Sequence, residues 1–197
     1  MTTIRTTTVL TASLLLALAL AACSSLPFPA DIDLRARMGD AASGSAQVPV
    51  APTEPGEAED LTMTLPAAGG QCLDIPAEAV AVPVQSAQIH WSVDVTFDGP
   101  DLSGRLQARL FVAGPGADLF HPSHTVGPTV TVRLDRTTTR FAGTAVLGPQ
   151  ALAALNDRTI CWGVRLVGDD VVVQEAGTAT IAYDVRDLWV RVRFSVI

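Results

Sequence analysis

From Gln88 onward the chain alternates apolar and polar positions. Ile89, Trp91, Val93, Val95 and Phe97 are spaced by two as far as Asp98, the pattern of a strand with one buried and one wet face. Asp98-Gly99-Pro100-Asp101 interrupts it, and Leu106, Ala108, Leu110 and Val112 resume it. The two runs are expected to pair as a hairpin with a loop longer than the tight two-residue type. Val130, Val132 and Leu134 predict a third strand, and Phe141, Gly143, Ala145 and Leu147 a fourth. Gly148-Pro149 opens a short helix, Gln150 to Leu155, ending at Asn156, because proline is favourable at the first helical position. Thr159 to Val167 follows, with Ile160, Trp162, Val164 and Leu166 on one face. Gly168-Asp169-Asp170 is expected to turn the chain, and Val171 to Gln174 to return from it. Thr178 to Val185 and Leu188 to Val196 complete the pattern. In the last, Leu188, Val190, Val192, Phe194 and Val196 alternate with Trp189, Arg191, Arg193 and Ser195.

Seven to eight short strands with one short helix near 149–156 predict an all-β fold. The expected form is a two-sheet antiparallel β-sandwich of immunoglobulin-like architecture. Cys72, Trp91 and Cys161 do not have the spacing of true immunoglobulin domains. A membrane-spanning barrel would want girdles of aromatic residues, and aromatics are 5% of this chain. The domain is expected to occupy 61–197. Residues 23–60 read as an acidic, Pro/Ala-rich linker, since Pro49, Pro52 and Pro55 disfavour a helix and no aromatic follows Phe28 there. Such a segment is expected to stay extended and lift the domain off its anchor, because it has little surface to bury against its ordering entropy. A short helix over Asp31 to Met38 is the one element considered within it.

The first 22 residues have the parts of an export signal: Arg5, the apolar run Val9 to Leu20, then small residues. The run is too short to cross a bilayer as a helix, which needs about 20 apolar residues. Its end, Leu20-Ala21-Ala22-Cys23, resembles the lipobox of bacterial lipoproteins. The resemblance covers only the N-terminal signal region. It implies that a diacylglyceryl group is placed on the Cys23 sulfur and that the signal, residues 1–22, is cut just before it. Leu20, Ala21 and Ala22 then serve as the recognition residues. It also implies a cell-envelope address with the membrane as partner. Ser24 in place of Asp matches outer-membrane sorting where the cell has two membranes. Two or three acyl chains on one residue hold firmly where a single chain binds only marginally.

Without residues 1–22 the chain has 12 Arg, no Lys and 20 acids, a net charge of −8. That balance argues against nucleic acid, whose binding rests on basic patches. Seven of the acids fall in 31–60 against Arg35 and Arg37, and 61–197 is nearly balanced.

Cys72 and Cys161 form an even pair in an oxidising compartment, and a disulfide between them is expected. Cys161 lies off the apolar face of its strand, which places the bond at a sheet edge or on the outer side. The segment Ala113 to Pro128 holds Asp118, His121 and His124. These could ligate zinc, with His90 as a remote fourth group, or could simply satisfy turn hydrogen bonds. No GxSxG elbow or phosphate loop is present, and Asp169-Asp170 reads as a solvated hairpin tip. Arg186, Arg191 and Arg193 near the C-terminus could pair with an acidic partner. Trp189, Arg191 and Arg193 form an outward stripe of residue types common at interface hot spots.

The expected function is a membrane-anchored envelope module that binds a protein or glycan or plays a structural part, without catalytic residues or cofactor. The alternative is a metal-dependent envelope hydrolase on His121 and His124. A carrier with an apolar cavity between its sheets is a third reading.

Overall fold

The computed structural model describes residues 29–54, 57–99, 102–134 and 137–194; the expected signal, the Leu20-Ala21-Ala22-Cys23 motif and the expected strand end at Ser195 and Val196 lie outside the described residues. Alternation is satisfied by two stacked antiparallel sheets. The described strands are β1 (Pro29–Asp33), β2 (Ser43–Val50), β3 (Glu59–Leu65), β4 (Gln71–Asp74), β5 (Val84–Asp98), β6 (Leu102–Ser103), β7 (Arg105–Ala113), β8 (Thr125–Arg133), β9 (Thr138–Val146), β10 (Thr159–Val173) and β11 (Gly177–Phe194). Among the described residues a single α-helix, α1 (Pro149–Asn156), joins β9 to β10, as predicted. The first sheet runs β1-β11-β5-β9, with β2 also on β11. The second runs β3-β10-β7-β8, with β4 and β6 also on β10. The protein is thus an all-β sandwich, and its eleven described strands exceed the seven or eight expected.

The inward residues are those that the period-two pattern picks out. Ile89, Val93, Val95 and Phe97 of β5 meet Leu106, Leu110, Val164 and Leu166 of the second sheet, and all are at most 2% exposed. Trp91 and Trp162 lie in the same core. Removing this apolar surface from water is the main favourable term in folding.

Four expectations need correction. β5 and β7 are not a hairpin: β5 pairs with β11 and β9, whereas β7 pairs with β10 and β8. Alternation says which face of a strand is buried, not which strand lies beside it. The chain crosses between the sheets after Asp98. Gly168 to Asp170 is not a turn either. β10 continues through it, with a register shift against β3 between Gly168 and Val171, because a bulge takes up extra residues without ending a ladder. For the same reason the two expected C-terminal strands are one, β11, with its shift between Val185 and Asp187.

The fourth correction is the largest. Residues 29–50 are not a free linker. β1 pairs with β11 from Pro29↔Arg193 to Asp33↔Trp189, and β2 pairs with β11 from Gly177↔Val50 to Asp184↔Ser43. Between them, single 3-10 turns at Arg35–Arg37 and Gly39–Ala42 replace the helix considered over Asp31 to Met38. Ile32, Leu34, Met38, Ala42, Ala46 and Val50 are all buried. Few as they are, these residues reach a ready-made sheet edge, whose backbone bonds supply what the segment lacks in apolar content. The domain therefore includes Pro29, not only the residues from 61.

The long connection from β7 to β8 folds over the outer face of the second sheet. Leu119 packs there with Phe111, Ala113 and Cys161, and Phe120 lies against them. The Arg165 guanidinium sits 4.8 Å from the Phe120 ring centre and 5.4 Å from that of Phe111. The Cys72–Cys161 disulfide is present beside this cluster, joining register partners on β4 and β10. Cys161 is thus on the outer side of the sheet, buried under the loop.

Candidate functional site

The wet face of the first sheet collects the charged and aromatic residues that the alternation turns outward. His90 on β5 and Trp189 on β11 are register partners. Their rings stack 3.7 Å apart and within 6° of parallel. His90 Nδ1 shares a 2.8 Å hydrogen bond with the Thr144 hydroxyl of β9. Arg191 lies over the Trp189 ring, 5.1 Å from its centre. It also grips Asp31 of β1 with two hydrogen bonds, Nε to Oδ1 at 2.8 Å and Nη2 to Oδ2 at 3.0 Å. The row Thr144, His90, Trp189, Arg191, Asp31 therefore crosses four strands. Arg191's hydrogen bonds hold the Asp31 carboxyl below its usual range. Partial burial, helped by the Arg191 charge, holds the His90 imidazole below its ordinary value and favours the neutral ring.

Further along the same face, Asp94 of β5 accepts from two arginines. Arg140 donates Nε to Oδ1 at 2.8 Å and Nη2 to Oδ2 at 3.2 Å, and Arg186 donates Nε to Oδ2 at 2.9 Å. Arg186 is also paired with Asp184 at 2.9 Å. It is thus engaged within the sheet, not held out for an acidic partner. Hydrogen bonds from Arg140, then Arg186, lower the Asp94 pKa from 3.8 to about 2. A depressed carboxylate contributes stability above its unfolded pKa and loses it as pH falls through the folded one. The Asp94 contribution is therefore expected to be complete above pH 3.8 and to fade towards pH 2. In denaturant titrations at a series of pH values, Asp94→Asn should be less stable than wild type at neutral pH, with the gap closing in that acid window. A gap that stays constant to pH 2 would refute this assignment.

The histidine loop is built differently. His121 Nδ1 accepts from the Ser123 backbone N–H at 3.3 Å and lies 2.8 Å from its hydroxyl, capping the short turn Pro122–His124. His124 Nδ1 is 2.7 Å from the Asp118 backbone carbonyl, and the Asp118 carboxylate accepts from the Phe120 N–H. The two imidazole centres are 5.8 Å apart. His90 is on the other sheet and does not join them. Among the described residues no group of three or more His, Cys, Asp or Glu is placed to hold a metal ion. The loop spends its polar groups on its own turns while Leu119 and Phe120 cover the sheet. His124, Ser123 and Thr125 border an open groove of about 470 Å³ with Val146 and the start of α1, and no carboxylate lines it. Gly168 to Asp170 is a strand bulge, so the expected hairpin tip is not formed.

The sequence singled out Trp189 and Arg191 but not their partners. His90, Thr144 and Asp31 come to them only through register across β1, β11, β5 and β9, which one strand's pattern does not carry. The Asp94–Arg140–Arg186 group was missed for the same reason.

No family model matches the chain, and no curated protein matches it. Among solved structures it is similar to a structure of the infectious bursal disease virus Gx strain, with 12% identity over 87% of this chain and a TM-score of 0.34. It is also similar to the VP2 subviral particle of infectious bursal disease virus, with 11% identity over the same share and a TM-score of 0.26. The chain spans 42% of the length of each of those two proteins.

Proposed function

We propose that this chain is an exported lipoprotein, anchored through lipid on Cys23, whose β-sandwich serves as a binding or structural module at the cell envelope. The observation that carries the binding part is the row centred on Trp189. It is a half-buried aromatic fixed by His90 and Arg191 on an otherwise polar sheet face. Tryptophan and arginine held rigid in this way lose little side-chain entropy on binding, which is why they recur at interface hot spots. One face of the Trp189 ring is already covered by His90, so a partner meets its edge and the flanking charges rather than stacking on that face. This favours a protein surface over a sugar ring. The anchor part rests on the resemblance of Leu20-Ala21-Ala22-Cys23 to a lipobox.

The test is native mass spectrometry of the full chain extracted in mild detergent from its own envelope, for wild type and Trp189→Ala. A wild-type species carrying a partner that Trp189→Ala loses, with unchanged circular dichroism, is the expected result. A partner kept by Trp189→Ala would move the contact elsewhere.

A further inference from the structure

We infer that the sandwich rests end-on against the membrane, through the end that carries Pro29, the 75–83 segment and Val146. This rests on the lipid anchor proposed above. Only Ser24 to Phe28 separate Cys23 from Pro29, and Pro29 is already paired with Arg193 in the first sheet. Six Cα steps reach at most about 20 Å when fully extended. β5 alone, at 15 residues, is about 50 Å long at the usual rise per residue. The anchor therefore cannot lift the domain clear of the surface, and its reach fixes which end lies near the lipid.

That end carries the two most exposed large apolar side chains described; the other two, Val167 and Val172, are each 37% exposed and lie on β10 away from it. Val146, at the last position of β9, is 72% exposed, more than any other large apolar side chain described, and Val82 is 43% exposed. Val146 is in register with Gln88, and Gln88 with Arg191, which faces Asp31 two positions from Pro29. Val82 lies two residues before β5, whose first residue, Val84, pairs with Phe194. Ala77, Val80, Ala81, Val82 and Pro83 line a groove of about 510 Å³ closed by Asn156 and Arg158. Apolar side chains rimmed by an arginine suit the boundary between headgroups and acyl chains.

Charge does not distinguish the ends: the far end has Glu54, Glu57, Asp60, Asp98, Asp170 and Glu175 with Arg105 and Arg133, and the near end has Asp74, Glu78, Asp118 and Asp157 with Arg158 and Arg193. Acids on either end are repelled by anionic lipid, so contact at the near end depends on apolar burial and the short leash rather than on net attraction. The occupant of the apolar end is the bilayer surface that holds the chain's own anchor.

The experiment uses the lipidated full-length product in vesicles of phosphatidylcholine and phosphatidylglycerol, with and without brominated acyl chains. Val146→Trp and Val82→Trp place a reporter at the near end and Val172→Trp one at the far end, against the native tryptophan background. Loss of most of the added emission at positions 146 and 82 in brominated vesicles, with none at 172, is the expected result. Vesicle-bound, lipidated protein with equal emission at all three positions would overturn the orientation and leave the anchor standing. Protein without lipid on Cys23 that does not float with the vesicles would overturn both.

Discussion

Replacing Cys72 and Cys161 together by alanine is expected to lower the unfolding free energy by about 4–5 kcal/mol, the chain-entropy value for a closed loop of this length. The cysteines are 89 residues apart in sequence. The bond ties β4 to β10, and β4 has only four residues in the second sheet. Without it the unfolded chain regains the freedom of the segment from β4 to β10, and β4 is left with a short ladder at the sheet margin. For a chain of this size, roughly 2–4 °C of melting temperature per kcal/mol puts the fall at about 8–20 °C. Thermal melts of the double variant and of reduced wild type should agree, since both lose the same constraint. A double variant that melts with oxidised wild type would mean that the Phe111–Leu119 cluster and the ladder hold this region unaided.

Adding one methyl group beside Trp91 is expected to be nearly as damaging. Gly127 on β8 and Gly143 on β9 both face the Trp91 indole, which is 3% exposed. A Cβ on Gly143 would fall 2.5 Å from Trp91 Cζ2, and one on Gly127 would overlap the far edge of the ring. Gly127 also has φ of +72°, a conformation that costs side-chain-bearing residues energy whatever the space. Overpacking and backbone strain together predict a loss of about 3 kcal/mol for Gly127→Ala and somewhat less for Gly143→Ala. The ring cannot yield, because it fills the space between sheets at the point where β8 and β9 meet. A double-mutant cycle separates the causes. In a Trp91→Leu background the steric part of the Gly127→Ala penalty should disappear and the backbone part remain. Equal penalties in both backgrounds would place the effect wholly in the backbone.

How far the sequence carries can be traced to particular elements. Period-two alternation marked β5, β7, β9, β10 and β11 and placed Ile89, Val95, Leu106, Val164 and Val190 in the core, because which face is buried is a local property. Proline and glycine at 148–149 marked the helix. Pairing was not legible. Both β5 and β7 alternate cleanly, and nothing in either says that they sit in different sheets. Composition does not separate a bulge from a turn, since Gly168-Asp169-Asp170 has turn composition whether or not the ladder continues. β1 and β2 read as tether from sequence because Pro49, Pro52 and Pro55 and the lack of aromatics after Phe28 carry no strand signal. They are strands because β11, at 18 residues, offers them an edge. The candidate site divides in the same way. Trp189 and Arg191 stood out by type and face, whereas His90, Thr144 and Asp31 needed the register. The disulfide was legible from the count of cysteines and the expected compartment. The histidine loop drew attention by composition, but its imidazoles hold turns and its apolar residues cover the sheet.

Both the envelope address and the end-on orientation need lipid on Cys23. The most direct measurement is membrane flotation of wild type and Cys23→Ser from the same cells, followed by the mass of the N-terminal peptide. The expected result is that wild type floats and its N-terminal peptide begins at Cys23 with a diacylglyceryl group, while Cys23→Ser stays with the soluble fraction or keeps its signal. Wild type that begins at another residue, or that carries no lipid on Cys23, would contradict the lipid anchor and the orientation built on it.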